Sequence, residues 1–105
     1  MFLAYDLALD FVTSLREPVQ QLRKHSADEA KQLERAGNSI VRNLAEGNGR
    51  LGRDRLQYFA IAYGSLCEAK GCLDLSVRLG WLPAQPPAYA IGHRLGGMLW
   101  RLSGR

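Results

Sequence analysis

The sequence predicts an all-α chain folded as an antiparallel up-down-up-down four-helix bundle, and three observations carry that reading. Apolar residues recur at spacings of three, four and seven along almost the whole chain. No run of alternating β-branched residues reads as a strand. The connections between periodic segments are short, which makes consecutive helices neighbours of opposite direction.

The first helix is expected from about Leu3 to Lys24, with Ala4, Ala8, Phe11, Leu15 and Leu22 on one side. Pro18 lacks an N–H for the Ser14 carbonyl, so a kink or break is expected near Arg16. The second helix is announced by SADE, in which Ser26 caps the chain and Glu29 reaches back to complete a capping box. Leu33, Gly37, Ile40 and Leu44 form its inner stripe, and Gly47 is expected to end it in the left-handed conformation. After the loop GNGRLGR the third helix runs from about Asp54 to Leu79 and stops at Gly80, with Leu56, Phe59, Tyr63, Leu66, Leu73 and Val77 inward. WLPAQPP then leads to a fourth helix that begins around Pro87 and turns Ile91, Leu95, Met98 and Leu102 toward the core.

A length of 105 residues suits one domain, residues 1–105, with a single modest core. Apolar residues make up 47% and charged residues 23%, a globular balance. No apolar run approaches the roughly 20 residues that span a bilayer, so no membrane association is expected. Asp6 and Asp10 interrupt the apolar start and no basic n-region precedes it, which argues against a signal peptide and makes the cytoplasm the default location. Cys67 and Cys72, five apart on one helix, suit neither a disulfide nor a zinc site and read as core or interface residues. The net charge of +4 and pI near 9.4 are compatible with a polyanionic partner without requiring one.

Two polar rows stand out. Ser39, Asn43 and Glu46 share a face beside the inner stripe of the second helix, and Ser65 and Glu68 form a similar short row on the third. Facing each other, they would satisfy one another and steady the EGNGR turn as a structural polar network. Glu46 and Glu68 make a poor metal or acid–base pair. A carboxylate metal bundle draws glutamates from all four helices with a Glu-x-x-His spacing, and neither His25 nor His93 lies three after a glutamate. No second catalytic group accompanies the pair, so the chain reads as non-enzymatic, without metal or cofactor.

Anion recognition is the more specific chemical reading. Gly47, Gly49 and Gly52 leave backbone amides accessible near a helix start, and Arg50, Arg53 and Arg55 surround them. The lysine and Ser/Thr of a P-loop are missing, so a plain turn competes with a phosphate site. Lys31, Arg35 and Arg42 form one outward basic stripe, and Arg94 and Arg101 form another on the last helix. Tyr58 and Trp100 suit base stacking or interface packing. Ile61, Cys72, Leu75 and Leu79 form a second apolar strip on the third helix, and Ala60, Gly64 and Gly71 give it a smooth ridge. Tyr89 and Trp100 lie outside the core stripe of the last helix, so self-association is expected.

The pattern S39-I40-x-x-N43-L44-A45-E46-G47-x-G49-R50, followed by Phe59, Ala62, G64-S65-L66-x-E68 and a closing helix with Met98 and Leu99, resembles the 23S rRNA intervening-sequence family, also called four-helix bundle proteins. It is also similar to the accessory variability determinant of diversity-generating retroelements, a basic pentameric bundle that binds nucleic acid and a reverse transcriptase. The resemblance implies a homopentamer, suggests RNA or DNA as a ligand and, by remote analogy, a protein partner such as a reverse transcriptase. Two departures weaken a polyanion surface or shift its frame: Glu34 stands where the family's QLRRAA-like run has a positive charge, leaving Arg35, and Pro18 comes earlier than usual. In a pentamer, a modest stripe repeated five times becomes a ring of positive potential. The alternative is an oligomeric scaffold that docks a protein partner and has no physiological nucleic acid.

Overall fold

The computed structural model describes residues 2–104, and every regular element among them is helical. The elements are α1 (Leu3–Ser14), α2 (Arg16–Arg23), α3 (Ala27–Asn48), α4 (Gly52–Arg78) and α5 (Ala88–Leu102). The first expected helix is therefore two segments, divided at Leu15. Pro18 cannot donate to the Ser14 carbonyl, the Leu15 N–H turns back to the Val12 carbonyl at 3.0 Å, and Val19 restarts the ladder on Leu15 at 2.9 Å. Both segments pack along α3, so α1 and α2 together fill one column of a four-column bundle.

Paired residues fix the direction of each column. Along α3 and α4, Gly47 lies against Phe59, Ser39 against Ser65, and Glu29 against Cys72. Along α4 and α5, Leu56 meets Gly104, Tyr63 meets Trp100, and Asp74 meets Tyr89. Both hairpins are antiparallel, and α1 closes the ring by packing Phe11 on Gly92 of α5. A particle of 42 × 22 × 22 Å results, with α3 diagonal to α5.

One apolar cluster fills the centre, including Phe11, Leu22, Leu33, Ile40, Leu44, Leu66, Leu73, Leu95 and Leu99. The periodicity of each helix places these side chains inward, and their burial supplies the main drive for assembly. Leu56 departs from the expected inner stripe. It sits near the open end of the α4/α5 seam, 41% exposed, beside Gly104. Ser76 is fully buried with no partner for its hydroxyl, although its carbonyl accepts from both Trp81 and Leu82.

The helix ends show where local rules hold and where packing overrides them. Gly80 adopts φ +78° just past α4, the Trp81 N–H reaches the Ser76 carbonyl at 2.9 Å, and Gly80 reaches Val77 at 3.0 Å, a complete Schellman closure. Gly47, by contrast, is not a left-handed stop. The helix runs through it to Asn48, and its missing side chain makes room for Phe59, whose Cε1 would lie 2.8 Å from any Cβ there. The next helix also starts earlier than the sequence suggests, at Gly52, where φ is +58°.

Only half of the expected capping box forms at the start of α3. The Ser26 hydroxyl accepts from the Glu29 N–H at 3.1 Å. The Ser26 N–H donates to the Leu22 carbonyl, and the Glu29 carboxylate instead accepts from the Cys72 thiol at 2.8 Å. Cys72 is consequently buried against α3 and leaves the second apolar strip, whereas Ile61, Leu75 and Leu79 remain exposed.

Candidate nucleic-acid interface

The turn between α3 and α4 spends its arginines internally. Arg50 bridges Glu46 at 2.9 Å and Asp54 at 3.0 Å, and its guanidinium lies 5.3 Å from the centre of the Tyr58 ring. The hydrogen bond to Glu46, followed by the charges of Tyr58 and its acidic neighbours, pushes the Arg50 pKa further up. Arg55 donates to the carbonyls of Gly47 and Asn48, both at 3.2 Å, and so closes the C-terminus of α3. Of the three arginines around this turn, Arg53 is the one left exposed without an ion pair among the described residues.

The polar rows meet in part. The Ser39 and Ser65 hydroxyls are 2.7 Å apart across the α3/α4 seam, and the Asn43 amide donates to the Ser39 carbonyl at 2.8 Å and its hydroxyl at 3.1 Å. Glu46 is turned to Arg50, because a guanidinium one helical turn on is a stronger partner than a neutral amide. No hydrogen bond ties Glu68 to the row; it lines the neighbouring groove instead.

That groove, about 460 Å³, runs between α3 and α4 and is lined by Arg35, Asn38, Ser39, Arg42, Ser65 and Glu68, among others. On the opposite flank of α3, Arg16 and Arg23 of α2 rim a crevice shared with Glu34 and Asn38. Lys31 lies beyond it, beside Arg23 and Asp28. One helix, α3, thus has cations on both sides, mixed with Asp28, Glu34 and Glu68, and among the described residues Arg23 is the one of these cations in an ion pair, with Glu34 at 3.5 Å between exposed side chains. Arg16 and Arg23 extend the stripe read from the sequence. Their spacing of seven was visible, but their approach to α3 depended on how α2 folds back at Leu15.

Arg94 and Arg101 do not join this surface. They line a separate groove of about 630 Å³ between α1 and α5, diagonal to α3, together with Asp6, Asp10 and His93. Two carboxylates facing two guanidinium groups leave that groove with little net positive potential. Trp100 packs its ring 5.4 Å from Tyr63, and Tyr89 donates to Asp74 at 2.8 Å. Among the described residues no group of three or more His, Cys, Asp or Glu is disposed to hold a metal, and no helix is long and apolar enough to cross a membrane.

Fold and surface define a small antiparallel helical bundle whose α2/α3 side carries Arg16, Arg23, Lys31, Arg35 and Arg42 interspersed with Asp28, Glu34 and Glu68. The family model of the 23S rRNA-intervening sequence protein matches residues 2–89, and the chain belongs to that family. In structure it is similar to a protein of unknown function from the S23 ribosomal protein family of Bacteroides thetaiotaomicron, with a TM-score of 0.88 at 20% identity over 97% of this chain and 99% of that one. No characterised protein matches the sequence.

Proposed function

We propose that the chain is a non-enzymatic, homo-oligomeric bundle of the cytoplasm that binds RNA or DNA through backbone phosphates on the α2/α3 face. The supporting observation is the convergence of Arg16, Arg23, Lys31, Arg35 and Arg42 around one helix, exposed and almost free of internal ion pairs. Exposed cationic side chains around open grooves suit phosphates, which need charge and donors but no deep pocket. Self-association is assigned to the α4/α5 seam. There Leu56 and Trp100 are large apolar side chains left exposed, surface that a second copy of the chain can cover. This seam lies away from α3 and leaves the basic face clear in each copy.

The test is fluorescence anisotropy of the purified protein, at an oligomeric state fixed by light scattering, against labelled single-stranded DNA, duplex DNA and structured RNA across a salt series. Affinity that falls steeply with salt is expected. Absence of binding at physiological salt sinks the proposal.

A second reading has its own observation. Ile61, Leu75 and Leu79 are 43, 46 and 51% exposed on the α3 side of α4, an apolar strip suited to a protein partner. Docking there is insensitive to salt, which separates the two readings in the same titration.

A further inference from the structure

The α3/α4 groove contains a group that simple phosphate binding does not use. Glu68 opens onto the same groove as Arg35 and Arg42, and no ion pair holds any of the three among the described residues. Its influence on the Cys72 thiol one turn on also places its charge near this seam. A carboxylate there repels phosphate and lowers affinity for a bare sugar-phosphate backbone. The groove suits a ligand that brings an anion and a pair of hydrogen-bond donors together.

We infer that the α3/α4 groove is a subsite for a single unpaired guanine nucleotide of a nucleic-acid strand, with Arg35 and Arg42 on its flanking phosphates and Glu68 on its base. This inference rests on the nucleic-acid reading above and names what that face selects. The Watson–Crick edge of guanine presents N1–H and the N2 amino group side by side, two donors that match the two oxygens of one carboxylate. Adenine and cytosine offer one amino group beside an acceptor, and uracil one N–H between two carbonyls, so each leaves a carboxylate oxygen facing an acceptor. In a duplex this edge is already paired, so the subsite requires a single strand or loop. Arg35 and Arg42 are seven residues apart on α3, roughly 10 Å along its axis, which leaves room for one nucleotide between them. The Ser39 and Ser65 hydroxyls, 2.7 Å apart beside them, and the Asn38 amide supply further polar contacts along the groove.

The experiment compares anisotropy titrations of wild type and Glu68→Gln with uracil-rich single-stranded RNA 12-mers carrying a central guanine, inosine, adenine or uracil. Glu68 is exposed, so the isosteric change keeps the fold, which circular dichroism verifies. The expected result is that guanine binds wild type about tenfold tighter than uracil or adenine, with inosine, which lacks the N2 amino group, in between. In Glu68→Gln the preference disappears. Equal affinity for all four strands in wild type, with Glu68→Gln strengthening all of them alike, overturns the guanine subsite and leaves phosphate binding standing. No binding of any strand at low salt overturns both.

Discussion

The Cys72 thiol of α4 donates to the Glu29 carboxylate of α3 at 2.8 Å, so the side chain that was to close the α3 capping box is committed to a neighbouring helix. Burial, and then the hydrogen bond and charge of Glu29, push the thiol up from 9.0 to about 12. A thiol held protonated is a poor nucleophile. Iodoacetamide at pH 8 is therefore expected to alkylate exposed Cys67 in the native protein and to reach Cys72 only on unfolding, as read by peptide mass spectrometry.

The same thiol sets a pH dependence. Its folded pKa lies above its unfolded value, so the folded state binds the extra proton more tightly. The stabilisation is complete below about pH 9 and is lost as pH rises toward 12. Tyr89, raised from 10.0 to about 12 by burial and by its bond to Asp74, works in the same direction over an overlapping window. Urea midpoints are expected to fall between pH 9 and 12, and less steeply in Cys72→Ala. An unchanged slope in that variant would refute the assignment to Cys72.

Ser39 and Ser65 share one hydrogen bond, so their contributions are coupled. Ser39→Ala is expected to cost about 1 kcal/mol by stranding the half-buried Ser65 hydroxyl, and Ser65→Ala somewhat less, since the Ser39 hydroxyl keeps the Asn43 amide as a partner. The double variant is expected to cost less than the sum of the two single changes, a coupling that a double-mutant cycle in urea measures directly.

Two glycines are expected to behave oppositely. An alanine at Gly47 places its Cβ 2.8 Å from Phe59, and overpacking of that kind costs about 1–3 kcal/mol, more than the roughly 1 kcal/mol gained in helix propensity. At Gly64 nothing lies within 4 Å, so Gly64→Ala keeps that gain and raises the unfolding midpoint.

The basic residues divide by what already holds them. Neutralising Arg35 and Arg42 together is expected to reduce the slope of log affinity against log salt by about 2, close to one per phosphate contact. Arg55→Ala is expected to leave that slope unchanged and to lower thermal stability, because its donors close the end of α3.

The helices and their core were legible because burial repeats with the helical period. Phe11, Leu33, Ile40, Leu44, Leu66 and Leu95 all lie where their spacing places them. Gly80 was legible as well, since a left-handed stop is a local requirement. Gly47 was misread because the same residue type also serves close packing, and only the position of Phe59 on α4 distinguishes the two uses. The attachment of Arg55 to the α3 carbonyls, the pairing of Glu29 with Cys72 and the approach of Arg16 and Arg23 to α3 each join groups from different helices. No single-helix period encodes such pairs.

The break at Leu15 gives α1 a different place in folding from the rest of the bundle. Ser39 and Ser65 are 26 residues apart and belong to one hairpin, whereas Phe11 and Gly92 come from near opposite ends of the chain. Closing that larger loop costs roughly 1 kcal/mol more in chain entropy, so the contact of α1 with α5 is expected to form after both the α3/α4 hairpin and the packing of Val12 on Gly37, which are closed over short separations. With only the irregular turn at Leu15 joining it to α2, α1 is expected to open from α5 at Phe11 before the α2/α3 side separates, an order that hydrogen exchange reads as lower protection in α1.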